Sequence, residues 1–301
     1  MTTETDLILD RRRLKRRLFF WRILTVIAIL VAIAFGTMKL VPDQAEPHVA
    51  KLNIENVIVE NDRRQQVISD IAQNDNVKAL IVYINSPGGS TYGSERLYHA
   101  LKDVAQKKPV VTVIGTVGAS GGYITALAGE RIFAGETSIT GSIGVIVQFT
   151  EISKLLDQIG VRADAITSGP LKGEPSPLKP LSNAGRRNLQ EMVLQTHEWF
   201  EDLIVQNRPL SEAEVEAISD GRILIGKSAI SAGLIDELGG LKEARIWLES
   251  NRQIPRDLPL IQADYSEPKG LIQELIQGIL GKSVISERLT LDGLISLWHP
   301  N

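Results

Sequence analysis

Val110-Val111-Thr112-Val113-Ile114 runs on to Gly118-Ala119-Ser120-Gly121-Gly122-Tyr123 and then to Ile124-Thr125-Ala126-Leu127-Ala128. The first segment reads as a buried strand, the second as a small-residue turn and the third as a helix. A serine in such a turn lies where unpaired backbone N–H groups and the positive end of a helix dipole favour a developing negative charge. The glycines after it remove side chains that would hold a substrate backbone away from the hydroxyl. Ser120 therefore reads either as an N-cap in a tight turn or as a nucleophile, and its partners elsewhere in the chain must decide.

Strands and helices alternate on both sides of this unit. Residues 49–60 read as a strand, and 61–72 carry helical spacing through Val67, Ile68 and Ile71. Residues 77–84 are nearly all apolar, as in a strand buried on both faces, and end in Asn85-Ser86-Pro87-Gly88-Gly89-Ser90. Leu97, Leu101 and Val104 mark the next helix, and Pro109 restarts the strand that leads to Ser120. Further strands are expected at 131–134, 142–148 and 161–167, with a helix at 151–159. Four prolines make 168–182 an irregular loop, and 183–206 a long amphipathic helix. Ser211 followed by Glu212 and Glu214 reads as an N-cap with acidic first-turn residues. This alternation predicts an α/β domain with a largely parallel sheet and one catalytic unit.

The 301 residues suffice for a large core, and the absence of cysteine excludes disulfides, thiolate metal sites and a cysteine nucleophile. Residues 1–40 hold eight basic and three acidic residues, a net of +5, whereas 41–301 hold 25 basic and 33 acidic, a net of −8. An acidic body argues against nucleic acid as the main partner. The positive excess precedes an apolar run from Leu18 to about Leu40, long enough to span a bilayer as helix. Arg22 and Lys39 lie near its ends, where cationic side chains snorkel. The reading is a basic cytoplasmic segment (1–17), a transmembrane anchor (18–41), a linker (42–48), a catalytic domain on the far side (49–250) and an amphipathic tail (251–301). A cleaved signal peptide is the rival, disfavoured because Asp43 stands where a small residue is wanted before Ala45.

A nucleophilic serine needs a base. The histidines are His48, His99, His197 and His299, and no histidine lies between His99 and His197. His99 falls off the apolar face of its helix, and a solvated face is the expected place for His197 as well. A lysine is the alternative base when burial lowers its pKa. Lys172, in Thr167-Ser168-Gly169-Pro170-Leu171-Lys172-Gly173, is the candidate, against its reading as an ordinary solvated loop lysine. Glu174 nearby would raise its pKa unless it points away. The Ser86–Ser90 turn reads either as a strand-to-helix connection or as a source of backbone N–H groups for an oxyanion.

Five segments taken together resemble bacterial signal peptide peptidase A. They are Asn85-Ser86-Pro87-Gly88-Gly89, Ala119-Ser120-Gly121-Gly122-Tyr123, Thr140-Gly141-Ser142-Ile143-Gly144-Val145, Thr167 to Lys172, and Asp220-Gly221-Arg222 with Ala232-Gly233-Leu234-Ile235-Asp236-Glu237-Leu238-Gly239. The resemblance covers roughly residues 50–250. It implies a membrane-anchored serine–lysine endopeptidase with a crotonase/Clp-protease-like spiral of ββα units. It also implies that Ser120 is the nucleophile, Lys172 the general base, Ser142 the residue orienting that lysine, and the Gly89 N–H part of an oxyanion hole. No cofactor or metal is implied. The implied substrates are apolar signal-peptide remnants, the implied location is the inner membrane, and members with one catalytic unit form homo-oligomeric rings with sites near subunit boundaries. Two other functions fit the same fold, an acyl-CoA hydratase or isomerase and an inactive membrane scaffold. The tail from 266 to 301 lies outside the shared motifs, with Leu271, Ile272, Leu275, Ile276, Ile279 and Leu280 at helical spacing.

Overall fold

A computed structural model of the chain describes residues 15, 17–30 and 46–265, together with the backbone of 295–297. The chain divides into two compact units, residues 1–46 and 47–301. In the first, 17–30 form helix α1, whose side chains are exposed. Its Thr25 hydroxyl donates to the Trp21 carbonyl at 2.8 Å, which satisfies a polar group in an otherwise apolar stretch. Among the described residues no helix is long and apolar enough to cross a membrane, and the remainder of the expected anchor, 31–41, lies outside them.

The second unit is a mixed α/β fold. In chain order it contains β1 (His48–Glu55), α2 (Asp62–Gln73), β2 (Val77–Ser86), β3 (Gly88–Ser90), α3 (Thr91–Ala105), β4 (Val110–Ala119), α4 (Gly121–Ala126), β5 (Arg131–Ala134) and β6 (Ile139–Gly141). Then come α5 (Ser153–Gln158), α6 (Asn183–Asn207), α7 (Glu212–Glu216), β7 (Ile223–Ile225), α8 (Gly226–Ser231), β8 (Glu237–Leu238), α9 (Leu241–Arg252), β9 (Leu260–Ala263) and β10 (Ile295–Leu297). The main sheet runs β7-β6-β4-β2-β1-β9, with β5 beside β4 and β8 beside β5, and its pairs are parallel except β6 with β7.

Side chains on a strand alternate between faces, and both faces here are dry. Leu52 and Ile54 of β1, Leu80, Val82 and Ile84 of β2, and Ile114 of β4 share one core with Leu97 and Leu101 of α3 and Phe200 and Ile204 of α6. Ala79, Ile81, Val111, Val113 and Phe133 point to the other face, where Ala244 and Leu248 of α9 cover them. This accounts for the uninterrupted apolar run of β2. Each fully buried Leu, Ile or Val contributes about 1.5–3 kcal/mol.

Helix starts follow local chemistry. Asn61 accepts the Arg64 N–H at 2.9 Å, Ser182 accepts the Gly185 N–H at 2.9 Å, and Ser211 with Glu214 forms a capping box. Three expectations require correction. Residues 142–148 form no strand beyond an isolated bridge at Ile146, and 161–167 form none. Ser142 and Ile143 are buried, but 144–148 are half-buried to exposed and 161–167 are exposed, so the β-branched residues after Ile143 have no sheet to join. The expected strand at 49–60 ends at Glu55, and Ile58 instead makes an isolated bridge to Gly89. The body also continues past residue 250, because β9 pairs with β1 and the Tyr265 hydroxyl donates to the Asn53 carbonyl at 3.0 Å. The helix expected at 271–280 lies outside the described residues.

Candidate active site

The sheet brings three chain segments together at its carboxyl ends. Register pairs Ser86 of β2 with Gly118 of β4, and Gly118 and Ala119 with Thr140 and Gly141 of β6. Ser120 and Ser142 therefore each follow directly on paired residues of adjacent parallel strands, about 4.8 Å apart at that point. Parallel α/β sheets commonly place their sites at this edge.

Ser120 is 1% exposed and has φ 55° and ψ −119°. Positive φ is rare for a residue with a Cβ and costs on the order of 1–3 kcal/mol. Four glycines and alanines surround it, yet the strained position is occupied by the serine. Its N–H donates to the Gly141 carbonyl at 2.8 Å, and its carbonyl accepts from Tyr123 (2.8 Å) and Ile124 (3.0 Å). These bonds fix the turn from both sides. Helix α4 has only six residues, starts at Gly121 rather than at the expected Ile124, and has no side-chain cap from Ser120. The N-cap reading of Ser120 is thereby set aside, and so short a helix adds little dipole. Gly122 is required for packing, since a Cβ there would stand 2.6 Å from the Ser86 carbonyl oxygen. Behind it the buried Tyr123 hydroxyl donates to the Leu234 carbonyl at 2.7 Å, and burial pushes its pKa far up.

Ser142 also has positive φ, 50°, and is 9% exposed. Its N–H donates to the Arg222 carbonyl at 2.8 Å. Arg222 in turn forks onto Asp220, Nε to Oδ1 at 2.8 Å and Nη2 to Oδ2 at 2.6 Å, and its N–H donates to Asp220 Oδ1 at 3.0 Å. The Asp220-Gly221-Arg222 segment is thus a turn that fastens Ser142. The second half of that motif is a clamp: Arg208 makes two hydrogen bonds to Asp236 (2.8 and 3.0 Å) and a third to the Gly233 carbonyl (2.8 Å).

Gly89 lies in β3, beside Ile58. A Cβ on it would meet the Ile58 carbonyl oxygen at 1.8 Å, so no other residue fits. Ile58 uses Gly88 as acceptor (2.8 Å) and Ser90 as donor (2.9 Å). Successive residues of a strand direct their backbone groups to opposite edges, so the N–H and C=O of Gly89 face away from Ile58. The Ser86 hydroxyl secures the turn by donating to the Asn56 carbonyl at 2.5 Å and accepting the Gly88 N–H at 3.1 Å.

Lys172 is exposed, and its N–H donates to the Gly169 carbonyl at 3.1 Å. The burial that base chemistry requires of it is not supplied within one chain. Glu174 is committed elsewhere: it pairs with Lys179 at 3.1 Å and accepts the Ser182 N–H at 3.3 Å, and the Lys179 contact first, then Ser182, holds its carboxyl below the ordinary range. His99 is exposed, as expected. His197 is not on a solvated face. It is half-buried, its Nδ1 has no hydrogen-bond partner, and it lines a cavity of about 330 Å³ with Ser142, Ile146 and Leu194. Helical spacing alone did not reveal this, because the wall opposite His197 is the irregular segment after Ser142. A second cavity, of about 570 Å³, adjoins β3 and is lined by Ser90, Thr91, Tyr92, Met192, Thr196 and Trp199 among others. Among the described residues no group of side chains could hold a metal ion.

The model of peptidase family S49 matches residues 102–254, and that of Clp protease matches 54–140. The chain is 32% identical over 232 residues to the chloroplastic serine protease SPPA of Arabidopsis thaliana, covering 76% of this chain and 34% of that protein. It is 35% identical over 201 residues to the putative protease slr0021 of Synechocystis, covering 66% of this chain and 72% of that protein. It is 32% identical over 191 residues to a putative signal peptide peptidase SppA of Enterococcus faecium, covering 62% of this chain and 55% of that protein. The chain thus spans about a third of the first of these relatives and half to three quarters of the others. The match to more than half of the chain, with Ser120, Ser142, Lys172 and the Asp220–Arg222 turn inside it, shows that the chain belongs to peptidase family S49, alongside serine proteases named SppA.

Proposed function

We propose that the chain is a membrane-anchored serine endopeptidase acting on apolar peptides, with Ser120 as nucleophile and Lys172 as general base. The observation that carries this reading is the buried, strained Ser120 at the carboxyl ends of the parallel strands, next to a glycine strand whose middle N–H faces away from Ile58. Neutral Lys172 takes the Ser120 proton as the oxygen attacks a peptide carbonyl. The Gly89 N–H holds the oxyanion, and the lysine then protonates the leaving amine. Water resolves the acyl-enzyme by the same route. Ser142, fixed from behind by Arg222, orients the lysine. No metal or organic cofactor enters these steps.

Lys172 is exposed in the single chain, so the reading requires a second copy to cover it. The arm that carries Lys172 supports such an assembly, since Phe149, Leu155, Ile159, Ile166 and Leu178 on it are all exposed. The wall of Tyr92, Met192 and Trp199 beside β3 supports an apolar substrate, of which spent signal peptides are the favoured class. The basic block and the exposed apolar residues of α1 support an anchor that keeps the N-terminus cytoplasmic and the catalytic unit on the other side.

A fluorophosphonate probe tests the assignment. It should label the full chain at Ser120, and the basic limb of the acylation pH profile should vanish in Lys172→Ala. Acylation at near-wild-type rate in Lys172→Ala would refute the dyad.

A further inference from the structure

His197 enters none of the catalytic steps, yet it lines the same cavity as Ser142, from its place on α6. Its Nε2 lies 3.5 Å from Glu201 Oε1, and a carboxylate there favours the tautomer with the proton on Nε2. Nδ1 is then an acceptor, and it is buried without a donor. Among the described residues the Ser142 hydroxyl makes no hydrogen bond either. The cavity has a volume of about 330 Å³, and Ile146, Val193 and Leu194 give it apolar walls. Asp220, which also lines it, is already forked by Arg222. Two acceptors that lack a donor, set among aliphatic side chains, suit a primary amine on an aliphatic stem.

We propose that His197 is a positioning residue for the Ser120 reaction: its Nδ1 accepts one N–H of Lys172 from a second copy, beside the Ser142 hydroxyl that accepts another. The inference rests on the reading of Ser120 as nucleophile and Lys172 as its base, oriented by Ser142. A lysine that reaches Ser142 through this cavity meets His197 as well. A neutral amine has two N–H groups and one lone pair. Held by Ser142 alone, it still turns about its Cε–Nζ bond, and the lone pair sweeps a cone. Held by two acceptors, both N–H groups are engaged and the lone pair has one direction left, which the reaction requires to be toward the Ser120 hydroxyl. The walls of Ile146, Val193 and Leu194 pack the stem and disfavour the ammonium, the form that cannot act as a base. Ser142 and His197 thus divide one task between a turn and a helix.

Three single variants and one double variant of the full chain test it, read by the rate of fluorophosphonate labelling at Ser120 and by turnover of a fluorogenic apolar peptide. In His197→Asn the amide places an acceptor close to the position of Nδ1, in His197→Gln close to that of Nε2, and His197→Leu has none. His197→Leu and His197→Gln should lower the labelling rate and kcat roughly tenfold with KM unchanged, while His197→Asn stays within about threefold of wild type. In a Lys172→Ala background, His197→Leu should leave the residual labelling rate unmoved, because a residue that acts through the lysine has nothing to position once the lysine is gone. Equal rates in wild type and His197→Leu, equal loss in His197→Asn and His197→Leu, or a further drop of roughly tenfold in the double variant would overturn the proposal. Failure of the peptidase reading shows itself separately, as a wild-type chain that is not labelled at Ser120 or a Lys172→Ala variant that keeps its full rate.

Discussion

Ser120 occupies backbone angles that a glycine would adopt without strain, and its neighbours Gly121 and Gly122 show that glycine was available to this turn. Strain of that kind persists where the side chain is needed. Ser120→Gly should abolish labelling by the fluorophosphonate while raising stability by on the order of 1 kcal/mol, a rise in Tm of about 2–4 °C for a unit this size. Thermal unfolding of the two forms checks it, and a lower Tm would mean that the hydroxyl stabilises the fold. The serine itself was legible in the sequence because small residues after an apolar run announce a tight turn. Its strain was not, since φ is set by the Gly141 carbonyl in another strand.

The element that holds Ser142 is the turn 220–222, and its electrostatics are local. The hydrogen bonds from the Arg222 side chain, and then from the Arg222 N–H, pull the Asp220 carboxyl down to about 2. An unfolded aspartate titrates near about 3.9. The folded value lies below that, so the contribution of this pair is complete above pH 4 and is lost only as pH falls toward 2. Any acid limb of activity near neutrality must come from another group. Arg222→Lys keeps the charge but loses the fork, and should lower kcat roughly three- to tenfold through misplacement of Ser142, with KM and the position of the pH limbs unmoved. A matching rise in KM would show that the turn contacts substrate instead. The sequence displayed this motif without its purpose, because the link from Arg222 to Ser142 spans 80 residues and uses only backbone atoms.

At the scale of the whole molecule, the strands and helices that build the core were readable because both faces of a parallel sheet demand apolar runs and covering helices. The strands expected at 142–148 and 161–167 fail for the same reason, whereas the helix expected at 151–159 and the irregular loop at 168–182 are found. Val145, Ile146, Val161 and Ile166 have the composition of a strand, yet from residue 146 on most of the arm is exposed, with Ile166 wholly so, while Ile143 before them is buried in the core. An apolar surface seeking another chain and an apolar strand seeking a sheet look alike in sequence. β9 was missed because it is four residues long and follows Pro255 and Pro259, and β10 because only its tertiary partner defines it. If the arm packs against a neighbour, Ile166→Asp should dissociate the assembly and reduce acylation of Ser120 at least tenfold, by leaving Lys172 hydrated. Sedimentation velocity beside the labelling rate measures both. A dissociated chain that still acylates at full rate would place the base elsewhere.

The order of strands in the sheet also bears on how the protein is made. β1 precedes the other described strands in the chain, but it ends up between β2 and β9, so one side of it stays unpaired until residues 260–263 have left the ribosome. Throughout that interval the nascent chain presents an open strand edge, a template for aggregation, and the unit cannot close before nearly all of it has been translated.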